Sequence, residues 1–163
     1  MIVLAGFMGA GKTTVGRLLA RQLGLPFADS DLVIEQRCGR SVREIFARDG
    51  EAAFRAREQQ VIAELMSGPE VVVAVGGGAV EHSATRRLLQ SATVVYMRIS
   101  YAEALRRVGG DPGRPLLRRP DVEEIYRRRL PLYESVAALT VTAEGRAAEA
   151  VCRDVLGRLG PGV

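Results

Sequence analysis

The chain has 163 residues, 47% of them apolar and 26% charged, a size and balance suited to one soluble globular domain with a full core. Its net charge is +4 with a pI near 9.6, but tryptophan is absent and aromatics make up only 5%, so a nucleic-acid surface is not expected. The longest apolar run, 71–75, is far too short to span a membrane, and the apolar opening has no basic leader of the kind that marks a signal peptide. Cys38 and Cys152 have no metal-ligand spacing and read as reduced thiols of a cytoplasmic protein, while His82 stands alone as a loop residue.

The first apolar run, Ile2-Val3-Leu4-Ala5, reads as a strand leading into Gly6-Phe7-Met8-Gly9-Ala10-Gly11-Lys12-Thr13, and 13–23 reads as a helix. The middle segment fits G-x-x-x-x-G-K-[ST] in the context that motif requires. A strand, a glycine-rich turn and a helix start aim backbone N–H groups and the helix dipole at one point, which makes an anion site for phosphates. Lys12 would lie along the β- and γ-phosphates of ATP, and Thr13 would offer its hydroxyl to Mg²⁺. Lys12 is also the only lysine, against 22 arginines, so this position calls for a compact ammonium and not merely a positive charge.

Gly24-Leu25-Pro26 turns the chain into a short strand, Phe27-Ala28-Asp29, and Ser30 or Asp31 is expected to cap a helix at 32–38. Asp29, at the end of that strand, is placed to hold Mg²⁺ directly or through water, and Asp31 to accept a hydrogen bond from a substrate hydroxyl. Gly39 stops the helix, and Ser41-Val42-Arg43-Glu44 is a capping box opening another at 42–48, which Asp49-Gly50 breaks. From 51 to 66, apolar residues at Ala53, Phe54, Val61, Ile62 and Leu65 recur at helical spacing. Arg55 and Glu58 share one side of this helix; the spacing alone reads as a surface ion pair, whereas an inward guanidinium would grip a carboxylate with two parallel hydrogen bonds.

The unalternating 71–75 reads as a strand buried on both faces, and Gly76-Gly77-Gly78 after it as a place where backbone approaches a ligand. A helix at 83–90, a strand at 93–97 and a helix at 101–108 follow. The breaker-rich stretch 109–120 carries Arg114, Arg118 and Arg119, the composition of a lid that excludes water and brings an arginine to a transferred group. A helix at 121–133 holds Arg127-Arg128-Arg129, of which at most two can face a site. A strand at 139–142 and a helix at 147–159 end the pattern. Strands alternating with helices give an α/β fold, a three-layer α/β/α arrangement around a central five-stranded parallel sheet, read as one domain over 1–163. Its site belongs at the carboxyl ends of the strands, where the phosphate loop, Asp29, Asp31 and the triple glycine converge.

Taken in order, these segments resemble the shikimate kinases: the phosphate loop, Asp29-Ser30-Asp31, Ile45-Phe46 with Gly50-Glu51 and Phe54-Arg55-x-x-Glu58, Gly76-Gly77-Gly78, Arg114-Pro115-Leu116-Leu117, and Arg129-Leu130-Pro131-Leu132-Tyr133. The resemblance implies a P-loop kinase domain that carries out ATP-dependent phosphorylation of the 3-hydroxyl of shikimate, with a substrate-binding segment at about 31–62 and a lid at about 109–120; a monomer is expected, although the sequence does not fix the oligomeric state. It implies nucleotide contacts at Gly9, Ala10, Gly11, Lys12, Thr13 and Thr14, with Arg107 against adenine and Arg114 at the phosphates. It implies shikimate contacts at Asp31, Arg55, Gly76, Gly77, Gly78 and Arg129, the two arginines clamping the carboxylate, and Mg²⁺ at Thr13 with Asp29 in its outer sphere. The family's Asn-Arg-x-Pro-like turn after the last strand is replaced here by Ala143-Glu144-Gly145-Arg146-Ala147, which weakens an adenine role for Arg146. Two alternatives are another small-molecule kinase of this fold, such as a gluconate or nucleoside monophosphate kinase, and a non-catalytic nucleotide-binding module.

Overall fold

In the computed structural model, which describes residues 1–109 and 120–160, strand β1 (Ile2–Ala5) occupies the middle of a five-stranded sheet. The others are β2 (Phe27–Asp29), β3 (Val72–Ala74), β4 (Thr93–Arg98) and β5 (Leu139–Thr142), in the order β2-β3-β1-β4-β5. All pairings are parallel. Every residue of β1 and β3 is buried, as unalternating apolar strands between two layers must be. Leu4 and Asp29 both lie opposite Ala74, so β1, β2 and β3 end level with one another. The connection from β1 leads past β3 to β2, while that from β3 leads past β1 to β4. The chain therefore departs in opposite directions from two neighbouring strands, which opens a crevice beyond their carboxyl ends.

Seven helices accompany the sheet among the described residues: α1 (Lys12–Leu23), α2 (Ser30–Cys38), α3 (Val42–Ser67), α4 (Ser83–Leu89), α5 (Tyr101–Val108), α6 (Val122–Val136) and α7 (Ala148–Leu159). Helix α1 packs on β3 and α7 over the main core, whereas α2 and α3 close on a separate small cluster of Ile34, Ile45, Phe54 and Val61. The expected capping box at Ser41 and Glu44 is formed. Gly50 breaks α3 with φ 83° and ψ 167°, a conformation that a residue with a side chain avoids.

Three details differ from the sequence reading. Helix α2 starts at Ser30 with no linker after β2, so its cap is Asp29, whose carboxylate accepts from the N–H groups of Asp31 and Leu32; neither Ser30 nor Asp31 is the cap. The triple glycine runs into a short 3₁₀ turn, Ala79–Glu81, a single turn with too little periodicity to be read in advance. Helix α6 continues to Val136, through Pro131. His82 sits at the start of α4 without capping it, and both cysteines are free thiols. No helix among the described residues is long and apolar enough to cross a membrane. The stretch 110–119, with Arg114, Arg118 and Arg119, lies outside the described residues.

Candidate active site

The phosphate loop is shaped by its glycines. Gly9 and Gly11 have φ of 77° and 85°, in the left-handed region, and Gly11 delivers the chain into α1 with no side chain capping the helix. The first N–H groups of α1 thus remain for a ligand, at the positive end of its dipole. Lys12 folds back over the loop, its Nζ donating to the carbonyl oxygens of Gly6 at 2.8 Å and Phe7 at 3.2 Å. Thr13 Oγ1 donates to Asp29 Oδ2 at 2.7 Å, while Asp29 Oδ1 is engaged in capping α2. A hydroxyl and one carboxylate oxygen this close suit Mg²⁺, which takes few protein oxygens and completes its shell with water and phosphate. No cluster of three or more metal-ligating side chains exists among the described residues.

Across the crevice, the three residues after β2 are each used differently. Ser30 is fully buried, and its Oγ accepts from the N–H of Gly76 at 3.0 Å, fastening the end of β3 to the start of α2. Asp31 then points its Oδ1 at Gly76, buried and without a hydrogen-bond partner among the described residues. Glu58 presents its own unpartnered Oε1 to the same glycine, where an added Cβ would collide with both carboxylates. Burial, then the neighbouring charges of Glu58 and Asp29, push the Asp31 carboxyl up to about 7, against smaller opposing effects of Lys12 and Arg55.

Arg55 and Glu58 do form the ion pair their spacing allows, at 2.7 Å, but not on the surface: their side chains are 12% and 1% exposed. Spacing could not reveal this, because it fixes which residues share a helix side and not what that side meets. Burial works against the Arg55 charge, yet Glu58 and Glu51 outweigh it and hold the guanidinium firmly protonated. The guanidinium lies against Gly78, so close that a Cβ there would overlap it. Of the three consecutive arginines on α6, Arg127 pairs with Glu123 at the surface, and Arg129 turns inward with a side chain only 4% exposed. Arg129 Nε has no partner among the described residues. One turn on, Tyr133 donates to the carbonyl oxygen of Gly77 at 2.6 Å.

These groups surround a single cavity of about 770 Å³. Gly9, Gly11, Lys12, Thr13, Thr14 and Arg107 line it from the phosphate loop, α1 and α5, and Asp29, Asp31, Arg55, Gly76 to Gly78 and Arg129 line it from β2, α2, α3, the triple glycine and α6. Phe46 and Phe54 add an apolar side. Ala10 is buried in the loop and does not line the cavity. Arg107 is held by Glu103, by the Gly9 carbonyl at 3.2 Å and by the Ala143 carbonyl at 2.7 Å, so that all three guanidinium nitrogens are engaged along its edge. Arg146 turns away to Asp154 and is not part of the cavity wall. Glu81, which the sequence reading passed over, reaches both Arg128 and Arg129; only its position three residues after Gly78 could have drawn attention to it.

A phosphate cradle that shares one cavity with a buried carboxylate oxygen lacking a partner among the described residues, and with two inward-turned arginines, defines a P-loop small-molecule kinase. A narrower assignment comes from comparison with known proteins. The family model for shikimate kinase matches residues 8–160. Shikimate kinase of Mycobacterium bovis is 47% identical over 161 residues, covering 96% of this chain and 92% of that protein, and that of Thermobifida fusca is 48% identical over 145 residues, covering 87% and 84%. The structure of shikimate kinase from Acinetobacter baumannii in complex with shikimate is 40% identical and superposes with a TM-score of 0.92, covering 97% of this chain and 91% of that one. The chain belongs to the shikimate kinase family. A gluconokinase from Sinorhizobium meliloti, at 21% identity and a TM-score of 0.60, shares the fold.

Proposed function

We propose that the protein transfers the γ-phosphoryl group of ATP to the 3-hydroxyl of shikimate, giving shikimate 3-phosphate and ADP. The observation that carries this reading is the buried, unpartnered Oδ1 of Asp31 in a cavity shared with the phosphate loop and with Arg55 and Arg129. Shikimate is a carboxylated ring with hydroxyl groups, and such a molecule needs both a hydrogen-bond acceptor for its reacting hydroxyl and cations for its carboxylate. Arg55 and Arg129 grip the carboxylate, and the backbone at Gly76, Gly77 and Gly78 lets the ring lie close. Asp31 accepts the 3-hydroxyl hydrogen bond and takes its proton as the oxygen attacks the γ-phosphorus. The new O–P bond forms as the bond to the β-phosphate oxygen breaks, and ADP leaves.

Gly9 to Thr14 cradle the phosphates, and Lys12 exchanges its loop carbonyls for phosphate oxygens. Thr13 would hold Mg²⁺ through its hydroxyl and Asp29 through water, and the ion would supply positive charge against the β- and γ-phosphates. Arg107 offers a face to adenine. Arg114 lies outside the described residues, and its assignment to the transferred phosphoryl group rests on the resemblance alone. In this reading these residues would supply what phosphoryl transfer requires: positioning, charge stabilisation and an oriented nucleophile.

The test is ADP release with shikimate, gluconate or AMP as acceptor, in excess Mg²⁺ and then in excess EDTA. Turnover is expected with shikimate, abolished by chelation and restored by added Mg²⁺; turnover with gluconate and not shikimate would overturn the reading. A second check is Gly78→Ala. Its Cβ would displace the Arg55 guanidinium, and a misplacement near 1 Å costs up to about 10²-fold. The expected result is a KM for shikimate raised at least about tenfold with KM for ATP unchanged, measured in the same assay.

A further inference from the structure

We infer that Glu81 is a positioning residue for the carboxylate clamp, holding the Arg129 guanidinium in the orientation that meets substrate; this rests on the proposed role of Arg129. The 3₁₀ turn Ala79–Glu81 directly continues the triple glycine, so Glu81 is rigidly attached to the segment against which the ring is proposed to lie. Its Oε2 accepts from Arg129 at 2.6 Å and its Oε1 from Arg128 at 2.7 Å. Burial opposes its charge, but the hydrogen bonds from Arg129 and Arg128 win and keep the carboxylate ionised. The turn is itself anchored, since Arg86 donates to the Val80 and Glu81 carbonyl oxygens at 2.6 and 3.0 Å.

The arrangement divides the donors of Arg129. One terminal nitrogen is committed to Glu81, while Nε is buried and unpartnered among the described residues, in a side chain that borders the cavity. A guanidinium is a planar fork, so fixing one terminal nitrogen fixes the direction in which the remaining N–H groups point. Tyr133, one turn along the same face of α6, donates to Gly77 and adds a second tie between the helix and the glycine segment. The two ties, four residues apart on one face of α6, orient that face toward the glycine segment. Without Glu81, the buried Arg129 would lose its charged partner and be free to seek another acceptor, so the clamp would pay an ordering cost on every binding event. Arg128, with a side chain 56% exposed, shares the carboxylate from outside and adds little to this.

The experiment is steady-state kinetics of Glu81→Ala, Glu81→Gln, Arg129→Ala and the Glu81→Ala/Arg129→Ala double variant, each with a thermal melt. Glu81→Ala is expected to raise KM for shikimate about tenfold, with kcat and KM for ATP changed little. Glu81→Gln, which keeps an acceptor oxygen, should recover part of the loss. Arg129→Ala should raise the same KM at least about thirtyfold, and adding Glu81→Ala to it should do nothing more, because the effect passes through Arg129. A merely structural role would lower the active fraction, and hence apparent kcat, without touching KM. If Arg129→Ala leaves KM for shikimate unchanged, the clamp itself is wrong. If Arg129→Ala raises it but Glu81→Ala leaves it unchanged, lowers it or adds fully in the double variant, the positioning role is overturned and the clamp stands.

Discussion

Lys12→Ala is expected to lower kcat by on the order of 10³-fold or more, with KM for shikimate nearly unchanged. The ammonium reaches back over the loop to the carbonyl oxygens of Gly6 and Phe7. A triphosphate would offer anionic oxygens at the same place, and an ammonium is attracted more strongly to an opposite charge than to a neutral carbonyl dipole. The further gain comes as the bond between the β- and γ-phosphates breaks and negative charge accumulates along the span that Lys12 covers. An interaction that strengthens in the transition state is lost from kcat, whereas Lys12 has no part in gripping the acceptor's carboxylate. Hydrogen bonds made by a charged, half-buried donor are worth about 1.5–3 kcal/mol each, so the variant is expected to melt lower yet remain folded. Initial rates of ADP release at saturating ATP and shikimate, beside a thermal melt, check both parts. A folded variant with kcat within tenfold of the parent would remove Lys12 from the chemistry.

Much of this site could be read without coordinates because its backbone requirements are written in residue types. The unalternating valines at 71–75 can only be comfortable between two layers, and the glycine spacing around Lys12 admits few other conformations. The strand ends, and with them the convergence of Asp29, Asp31 and Gly76, follow from parallel pairing. What stayed illegible depends on how side chains turn. Arg55 and Glu58 on an isolated helix are an ordinary surface pair; their burial arises because Gly76 and Gly78 lack side chains and let α3 lie against the end of β3. The cap of α2 lies one or two residues before the expected position, and the shift changes the chemistry, since it gives Asp29 two duties and leaves Asp31 Oδ1 without a hydrogen-bond partner among the described residues. Glu81 escaped notice because its partners lie 47 and 48 residues away, beyond any local pattern.

Asp31→Asn separates what that residue does for catalysis from what it costs the fold. Turnover is expected to fall about 10²- to 10⁴-fold, the range for loss of a positioned base, because an amide cannot take the hydroxyl proton. Stability should move the other way. The folded-state pKa of about 7 lies above the ordinary 3.8, so the folded protein binds this proton more tightly than the unfolded chain. That stabilisation is complete below about pH 3.8, is lost progressively as pH rises, and is gone above about 7, where a buried carboxylate faces Glu58 unpaired. Asparagine carries no charge to bury, and its amide can donate to the unpartnered Glu58 oxygen. The variant's advantage should therefore grow between about pH 4 and 7 and level off beyond, reaching at most about 4 kcal/mol for a shift of some three units. Denaturant melts at pH 5 and pH 8, without nucleotide and with chelator present, measure it. A gain at pH 8 no larger than at pH 5 would mean that Asp31 is not held in the electrostatic position described, and its fitness to act as a base near neutral pH would lose its physical footing.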